Sequence, residues 1–261
     1  MSVKWGMIVA VAAVVISVGG RLSAAEVNSD AGVERTEPND AEIYIGAGAI
    51  LKGQPYKGVE SRLYPVPMFG YDGPRLYLYG ISGGYRLFKR GGMSLGPVVQ
   101  PRFMGYEEDE SRDLAGMDDR DWTVDLGAAW SWRTDYGLFS LSWVADVFGK
   151  HEGHELQFSY TIMFPLAGFD IIPQAGVQYQ SSNLTDYYYG VRKREAVGRL
   201  PYEAGEAFNP FVRVAVRREL SERWSLLFGA QVDWLDSEIK DSPIVEESRD
   251  LSLLAGLLYS F

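Results

Sequence analysis

From Ala41 onward, hydrophobic and polar residues alternate with period two in stretches of strand length, bounded by Gly, Pro, Asp and Asn clusters. In 121–132, Trp122, Val124, Leu126, Ala128, Trp130 and Trp132 share one face, and Asp121, Thr123, Asp125, Gly127, Ala129 and Ser131 share the other. The same rule groups Ile43, Ile45, Ala47 and Ala49, then Phe139, Leu141, Trp143, Ala145 and Val147. It also groups Leu156, Phe158, Tyr160, Ile162 and Phe164, and later Trp224, Leu226, Phe228, Ala230, Val232 and Trp234. Strands are therefore predicted at 41–50, 62–71, 75–88, 93–105, 121–132, 137–148, 153–164, 169–180, 206–218, 223–235 and 249–261.

A soluble β-sandwich also alternates, so the pattern alone does not choose the solvent. The tryptophans do. Trp122 with Trp130 and Trp132, and Trp224 with Trp234, sit at opposite ends of one apolar face. Ten residues at about 3.3 Å each, tilted by about 40°, span roughly 25 Å, the height of the apolar band between the aromatic girdles of a transmembrane barrel. The opposite faces are small and polar, as expected of a lumen. The predicted fold is an all-β, antiparallel up-and-down transmembrane β-barrel. Eleven strands conflict with an even-stranded barrel whose termini share one side. Folding 75–88 back on itself at Gly80 to Gly84 restores parity, giving twelve strands, with ten as the alternative. The long connections 106–120, 181–205 and 236–248 then all face outward from the cell.

The two ends of the chain carry address signals. Lys4, the apolar run Gly6 to Gly20 and the small residues Ser23-Ala24-Ala25 read as a signal peptide, 1–25, removed after Ala25. The apolar run is about 15 residues, short of the roughly 20 that a membrane-spanning helix needs. Residues 26–40 are polar and acidic and read as a flexible periplasmic leader, leaving 41–261 for the barrel. At the other end, Leu251, Leu253, Ala255, Leu257, Tyr259 and Phe261 alternate on one face. This resembles the signal by which the barrel-assembly machinery recognises a last strand, and Leu253, Ala255, Leu257, Tyr259 and Phe261 are its expected elements.

Charge and composition narrow the chemistry. Of the 25 basic residues, Lys4 and Arg21 leave with the signal peptide, so 23 bases face 35 acids, a net −12. Such acidity speaks against nucleic acid as a partner. The absence of cysteine removes disulfides, thiolate metal sites and thiol nucleophiles. His151 and His154 are the only histidines, in Lys150-His151-Glu152-Gly153-His154-Glu155, and are expected in a solvated hairpin turn. His and Glu are suitable metal ligands, and a Ser-His-Asp arrangement would have to form at this one turn. No Ser is well placed for it, so neither a metal, a cofactor nor an enzyme activity is expected. Glu107-Glu108-Asp109-Glu110 with Asp113, Asp118, Asp119 and Asp121 make an acidic external loop, expected to be solvated or cation-bridged to lipopolysaccharide. Lipid and lipopolysaccharide are the surroundings a barrel implies. Inward residues should include Asp125, Asp146, Asp170, Asp233, Arg102, Arg213, Arg217, Gln100, Gln174 and Gln178, a mixed-sign set suited to an ion-paired interior.

Several segments together resemble the MltA-interacting protein family (MipA/OmpV). They are Tyr64-Pro65-Val66-Pro67 running to Tyr71-Asp72-Gly73, Gly116-Met117-Asp118-Asp119-Arg120, and Asp186-Tyr187-Tyr188-Tyr189-Gly190-Val191. Asp241-Ser242-Pro243-Ile244-Val245 and the Tyr259-Ser260-Phe261 ending follow in the same order. The motifs read as structural, with Pro and Gly at turns and Tyr at girdles. The resemblance implies a non-enzymatic outer-membrane protein that scaffolds peptidoglycan remodelling, linking a murein lytic transglycosylase to a bifunctional penicillin-binding synthase. It supplies no catalytic motif. In this topology a periplasmic partner meets only short turns, Lys89 to Gly92, Arg133 to Tyr136 and Glu219 to Arg223, and the leader. The alternative is a narrow channel, or an adhesin or receptor acting through the long external loops.

Overall fold

A computed structural model describes residues 41–261; the expected signal peptide and leader lie outside the described residues. Antiparallel strands follow one another around a closed barrel: β1 (Glu42–Lys52), β2 (Arg62–Asp72), β3 (Leu76–Tyr79), β4 (Ser82–Tyr85), β5 (Phe88–Arg90), β6 (Met93–Arg102) and β7 (Thr123–Thr134). They continue as β8 (Gly137–Asp146), β9 (His154–Thr161), β10 (Phe164–Leu166), β11 (Phe169–Gln180), β12 (Ala207–Glu219), β13 (Trp224–Trp234) and β14 (Arg249–Ser260). The circle closes where β14 pairs with β1, Ala49 opposite Ala255.

Fourteen segments make twelve staves, because two staves are interrupted. β4 and β5 both pair with β6, and β9 and β10 both pair with β11. The stretch 153–164, expected as one strand, is thus broken at Ile162–Met163. The stretch 75–88 does fold back, at Gly80–Ile81, with Tyr79 opposite Ser82. Gly80 has φ 60°, the positive first central position of a two-residue hairpin turn that glycine fills without strain.

Side-chain facing follows the alternation. Ile43, Ile45, Leu126, Phe228, Leu253, Leu257 and Phe261 are exposed on the outer surface. Trp132, Phe139 and Tyr160 stack in sequence at one end of it, joined there by Trp224, Tyr259 and Phe261. At the other end Trp122 stacks on Phe103, and His154 lies between Trp143 and Tyr179. Two aromatic girdles bound an apolar belt, the arrangement of a barrel seated in a bilayer.

The lumen departs from the expected small, polar face. Tyr44, Ile50, Val66, Met68, Ile172, Leu227, Leu254 and Leu258 pack into an apolar core inside the barrel. The Met68 sulfur crowds the Gly48 and Gly256 backbones, where a Cβ would collide with it. Glycine at those two positions lets the Met68 side chain lie over the neighbouring β1 and β14 on the lumenal face. Interior packing of this kind fills the passage.

Candidate functional site

The expected ion-paired interior is present along β6–β9 and β11–β13. Arg102 Nε donates to Asp125 Oδ2 at 2.7 Å and its Nη1 to Glu155 Oε2 at 2.9 Å, all three buried. Arg213 donates to Gln231 and Gln174 at 2.8 and 2.7 Å. Gln174 passes the chain on to Thr161 at 2.9 Å. Arg217 meets Asp170 at 2.8 Å. Asp233 takes both its hydrogen bonds from Gln231, and Gln178 donates to Gln157. A buried ion stays charged only where partners replace its water, so these groups lock the upper wall to itself. Glu155 was not singled out in the sequence; its inward parity in β9 was the signal.

His151 corrects the solvated-turn expectation, because it is buried while its neighbours Lys150 and Glu152 are exposed. Asp125, Asp146 and His151 bring potential ligand atoms within 4.8 Å of one another. Their lone pairs are already committed. Gly153 N–H donates to His151 Nδ1 at 3.0 Å, so the proton of the neutral ring sits on Nε2, which faces Asp125 Oδ1 at 3.2 Å. Asp146 accepts from Thr123 and from the backbone of Phe148, His151 and Glu152, between 2.7 and 3.1 Å. This set does not fit a metal ion and leaves no free imidazole nitrogen to act as a base. It anchors the β8–β9 turn. His154 sits outside, in the outer aromatic girdle.

Three of the family motifs, those around Met117, Tyr188 and Ile244, converge on the extracellular mouth. There Tyr56, Tyr106, Leu114, Met117, Leu184, Tyr188, Tyr189, Ile239, Ile244 and Val245 bury one another in a second core, drawn from four loops. Tyr188 and Tyr189, expected at a girdle, are instead buried in this core. Residues Ser182–Tyr189 form a helix that buries Leu184, Thr185, Tyr188 and Tyr189, and Ser237–Lys240 form a short one around buried Ile239. Leu184 and Tyr188, four apart on one helical face, were the sequence signal. Gly190 N–H caps the longer helix on Asp186 O at 2.8 Å. Asp241 N–H closes the shorter one on Ser237 O, and Ser242 Oγ donates to Tyr189 O at 2.6 Å just before Pro243.

Arg120 is the centre of this lid. Its Nη2 lies 3.1 Å from both Glu195 oxygens, and its guanidinium sits over the Tyr106 and Tyr187 rings. Burial would lower the Arg120 pKa; Tyr106 and Glu195 outweigh it and hold the group above its ordinary value. The acidic loop is less solvated than expected, since its acids pair with other segments. Glu110 meets Arg62 at 3.1 Å, Asp121 meets Lys150 at 2.7 Å, and Asp118 binds Arg192 and Arg194. Asp119 accepts from Glu108 N–H, and Gly116 N–H donates to Glu108, both at 2.8 Å. Tyr64, Pro65 and Pro67 lie within β2 and not at a turn.

Chains of known identity fit this architecture. The family description "MltA-interacting protein MipA" matches residues 45–261. A protein named MltA-interacting protein from Escherichia coli (strain K12) is 26% identical over 237 residues, 89% of this chain and 94% of that protein. Outer membrane protein Omp26La of Vibrio anguillarum is 31% identical over 198 residues, 74% of this chain and 76% of that one. Among solved structures, the COG4313 outer membrane channel from Pseudomonas putida F1 aligns with TM-score 0.45 at 10% identity, covering 90% of this chain and 100% of that chain. With a girdled barrel and the family and sequence matches in agreement, the chain is an outer-membrane protein and belongs to the MltA-interacting protein (MipA) family.

Proposed function

We propose that this barrel is a non-enzymatic outer-membrane anchor that holds a murein lytic transglycosylase, and through it a penicillin-binding synthase, close to the peptidoglycan. The observation that carries this reading is the obstructed lumen. An apolar core around Met68 and a folded lid around Arg120 suit a membrane anchor better than a conduit. The name of the Escherichia coli relative gives the partner class.

The periplasmic rim offers one shaped surface. A cavity of about 120 Å³ lies between the entry of β1 at Ala41 to Tyr44 and the β12–β13 turn at Glu219 to Arg223, beside Phe261. Glu222 and Arg223 give it both signs of charge. A footprint this small suits transient association. The test is retention of a purified lytic transglycosylase on the detergent-solubilised barrel. Retention is expected, and it should weaken about tenfold when Glu222 and Arg223 are both reversed in sign. Failure of the unmutated barrel to retain the enzyme sinks the proposal. The convergence of four long loops into an ordered lid favours a second reading, a surface receptor, for which the external ligand would bind whole cells and not the periplasmic rim.

A further inference from the structure

We propose that the barrel wall has a lateral window between β2 and β6, and that the acyl chain of an outer-membrane lipid occupies it. The β3–β4 hairpin is too short to fill the wall between its neighbours. β3 meets β2 only from Gly70 to Asp72, and β4 meets β6 only at Val98 and Val99. Among the described pairings, the β2 edge from Leu63 to Phe69 and the β6 edge from Gln100 to Arg102 have no strand partner on the facing sides. At about 3.3 Å per residue the free β2 edge runs for roughly 20 Å and the β6 edge for roughly 10 Å, so the opening widens away from the hairpin tip. The Arg62–Glu110 ion pair, at 3.1 Å, ties the top of β2 to the 108–110 turn above it.

The backbone is adapted to this edge. Gly80 N–H donates to Phe69 O at 2.8 Å, so Phe69 turns its main-chain groups toward the hairpin side. Main-chain direction alternates along a strand, so Pro67, Pro65 and Leu63 turn theirs to the same side, above the tip and into the opening. Proline has no N–H. At two successive open positions the donor that hydrocarbon would leave unsatisfied is therefore missing. Pro101 occupies the free part of the β6 edge. The Pro-Val-Pro motif is thus a bilayer-facing edge and not a turn.

A cavity of about 190 Å³ lies at the free β6 edge, lined there by Gln100, Pro101 and Arg102. Pro101, Phe103 and Met104 line its near side, and Gln178, Gln231 and Ser252 line the far wall of the lumen. Phe103, which lines it, stacks on the exposed Trp122 of the outer girdle; deeper in the lumen the lining carries Lys52, Arg102, Glu155, Asp233 and Asp250, so only the β6 rim is apolar. The outer surface around the opening carries exposed Leu63, Phe69, Leu95 and Val99, continuous with the belt that lipid covers. Hydrocarbon is what bathes this rim, and an acyl chain is the occupant that needs no hydrogen bonds from it.

The test uses the full barrel in vesicles of phosphatidylethanolamine and phosphatidylglycerol, with a photo-crosslinking p-benzoylphenylalanine placed at single sites. Tyr64, facing inward beside the window, is the probe site. Phe228, on the outer belt, is the positive control, and Phe211, buried on the lumenal face of β12, is the negative one. Intact-mass measurement after illumination should show lipid adducts at Tyr64 and Phe228, at least tenfold above Phe211. Gln100, half-buried on the free β6 edge, is the second probe site should the Tyr64 variant fail to fold. Inserting three residues in each arm of the β3–β4 hairpin should abolish the adduct at Tyr64 and spare that at Phe228. Adducts at Tyr64 and Gln100 no higher than at Phe211, or unchanged by the longer hairpin, overturn the proposal.

Discussion

Arg120 and Glu195 face each other in the lid with each side chain 1% exposed, the guanidinium Nη2 3.1 Å from both carboxylate oxygens. Seventy-five residues separate them, and they join the 103–122 loop to the 181–206 loop. Glu195 also accepts the backbone N–H groups of Asp118 and Arg192.

Removing one partner leaves the other charged and buried, which costs about 3–5 kcal/mol. Arg120→Ala should therefore loosen the lid while leaving the strands intact. Hydrogen exchange in 103–122 and 181–206 is expected to accelerate by at least a hundredfold, with the barrel still migrating as a folded, heat-modifiable species. Replacing both residues by Met and Leu should recover much of the protection.

The outer belt makes a second expectation. Leu126 is 50% exposed at the middle of β7 and faces lipid. Leu126→Arg should destabilise by about 2–4 kcal/mol, the cost of a cation near the bilayer midplane. The same change at Tyr136, an 84% exposed turn residue, should stay within about 0.5 kcal/mol. Equal unfolding free energies for the two variants would place Leu126 away from lipid.

The filled lumen predicts little steady current in planar bilayers. Met68 packs over Gly48 and Gly256 of the neighbouring strands on the lumenal face, and Arg102 is locked between Asp125 and Glu155. Met68→Ala, which removes a side chain from the lumenal core, should raise conductance above that of the unmutated protein. Large, regular openings without any substitution would refute the obstructed passage.

Asp236 gives the lid a pH dependence. Its carboxylate accepts from Glu238 N–H and Phe208 N–H, both at 3.1 Å, and so caps the helix Ser237–Lys240. Burial pushes its pKa up, but those backbone hydrogen bonds outweigh it and hold it below the ordinary value. A depressed folded pKa means stability that is complete above the unfolded value of about 3.9 and lost as pH falls through the folded one. Asp236→Ala should weaken protection of 235–248 by about 1 kcal/mol at neutral pH. The gap between variant and unmutated protein should close below about pH 4; a gap that persists there would mean that the charge contributes nothing.

Period-two alternation and the paired tryptophans determined the barrel, because side-chain facing in a strand is a local consequence of the pleat. Trp122 with Trp132, Trp224 with Trp234, and the inward Asp125 and Arg213 were legible for that reason. Even the fold at Gly80 followed from counting strands. The partners of those residues were not legible. Arg120 and Glu195 look like ordinary loop charges, and His151 like a turn residue, until loops distant in sequence share one buried core. Tyr188 and Tyr189 passed for girdle residues because only the surrounding loops show that their environment is protein and not lipid. Pro65 and Pro67 passed for turn residues, since a strand edge is open only by virtue of a neighbour's length. Facing is written into each strand by backbone geometry, whereas burial, ion pairing and open edges depend on which segments meet, and the closed barrel alone decides that.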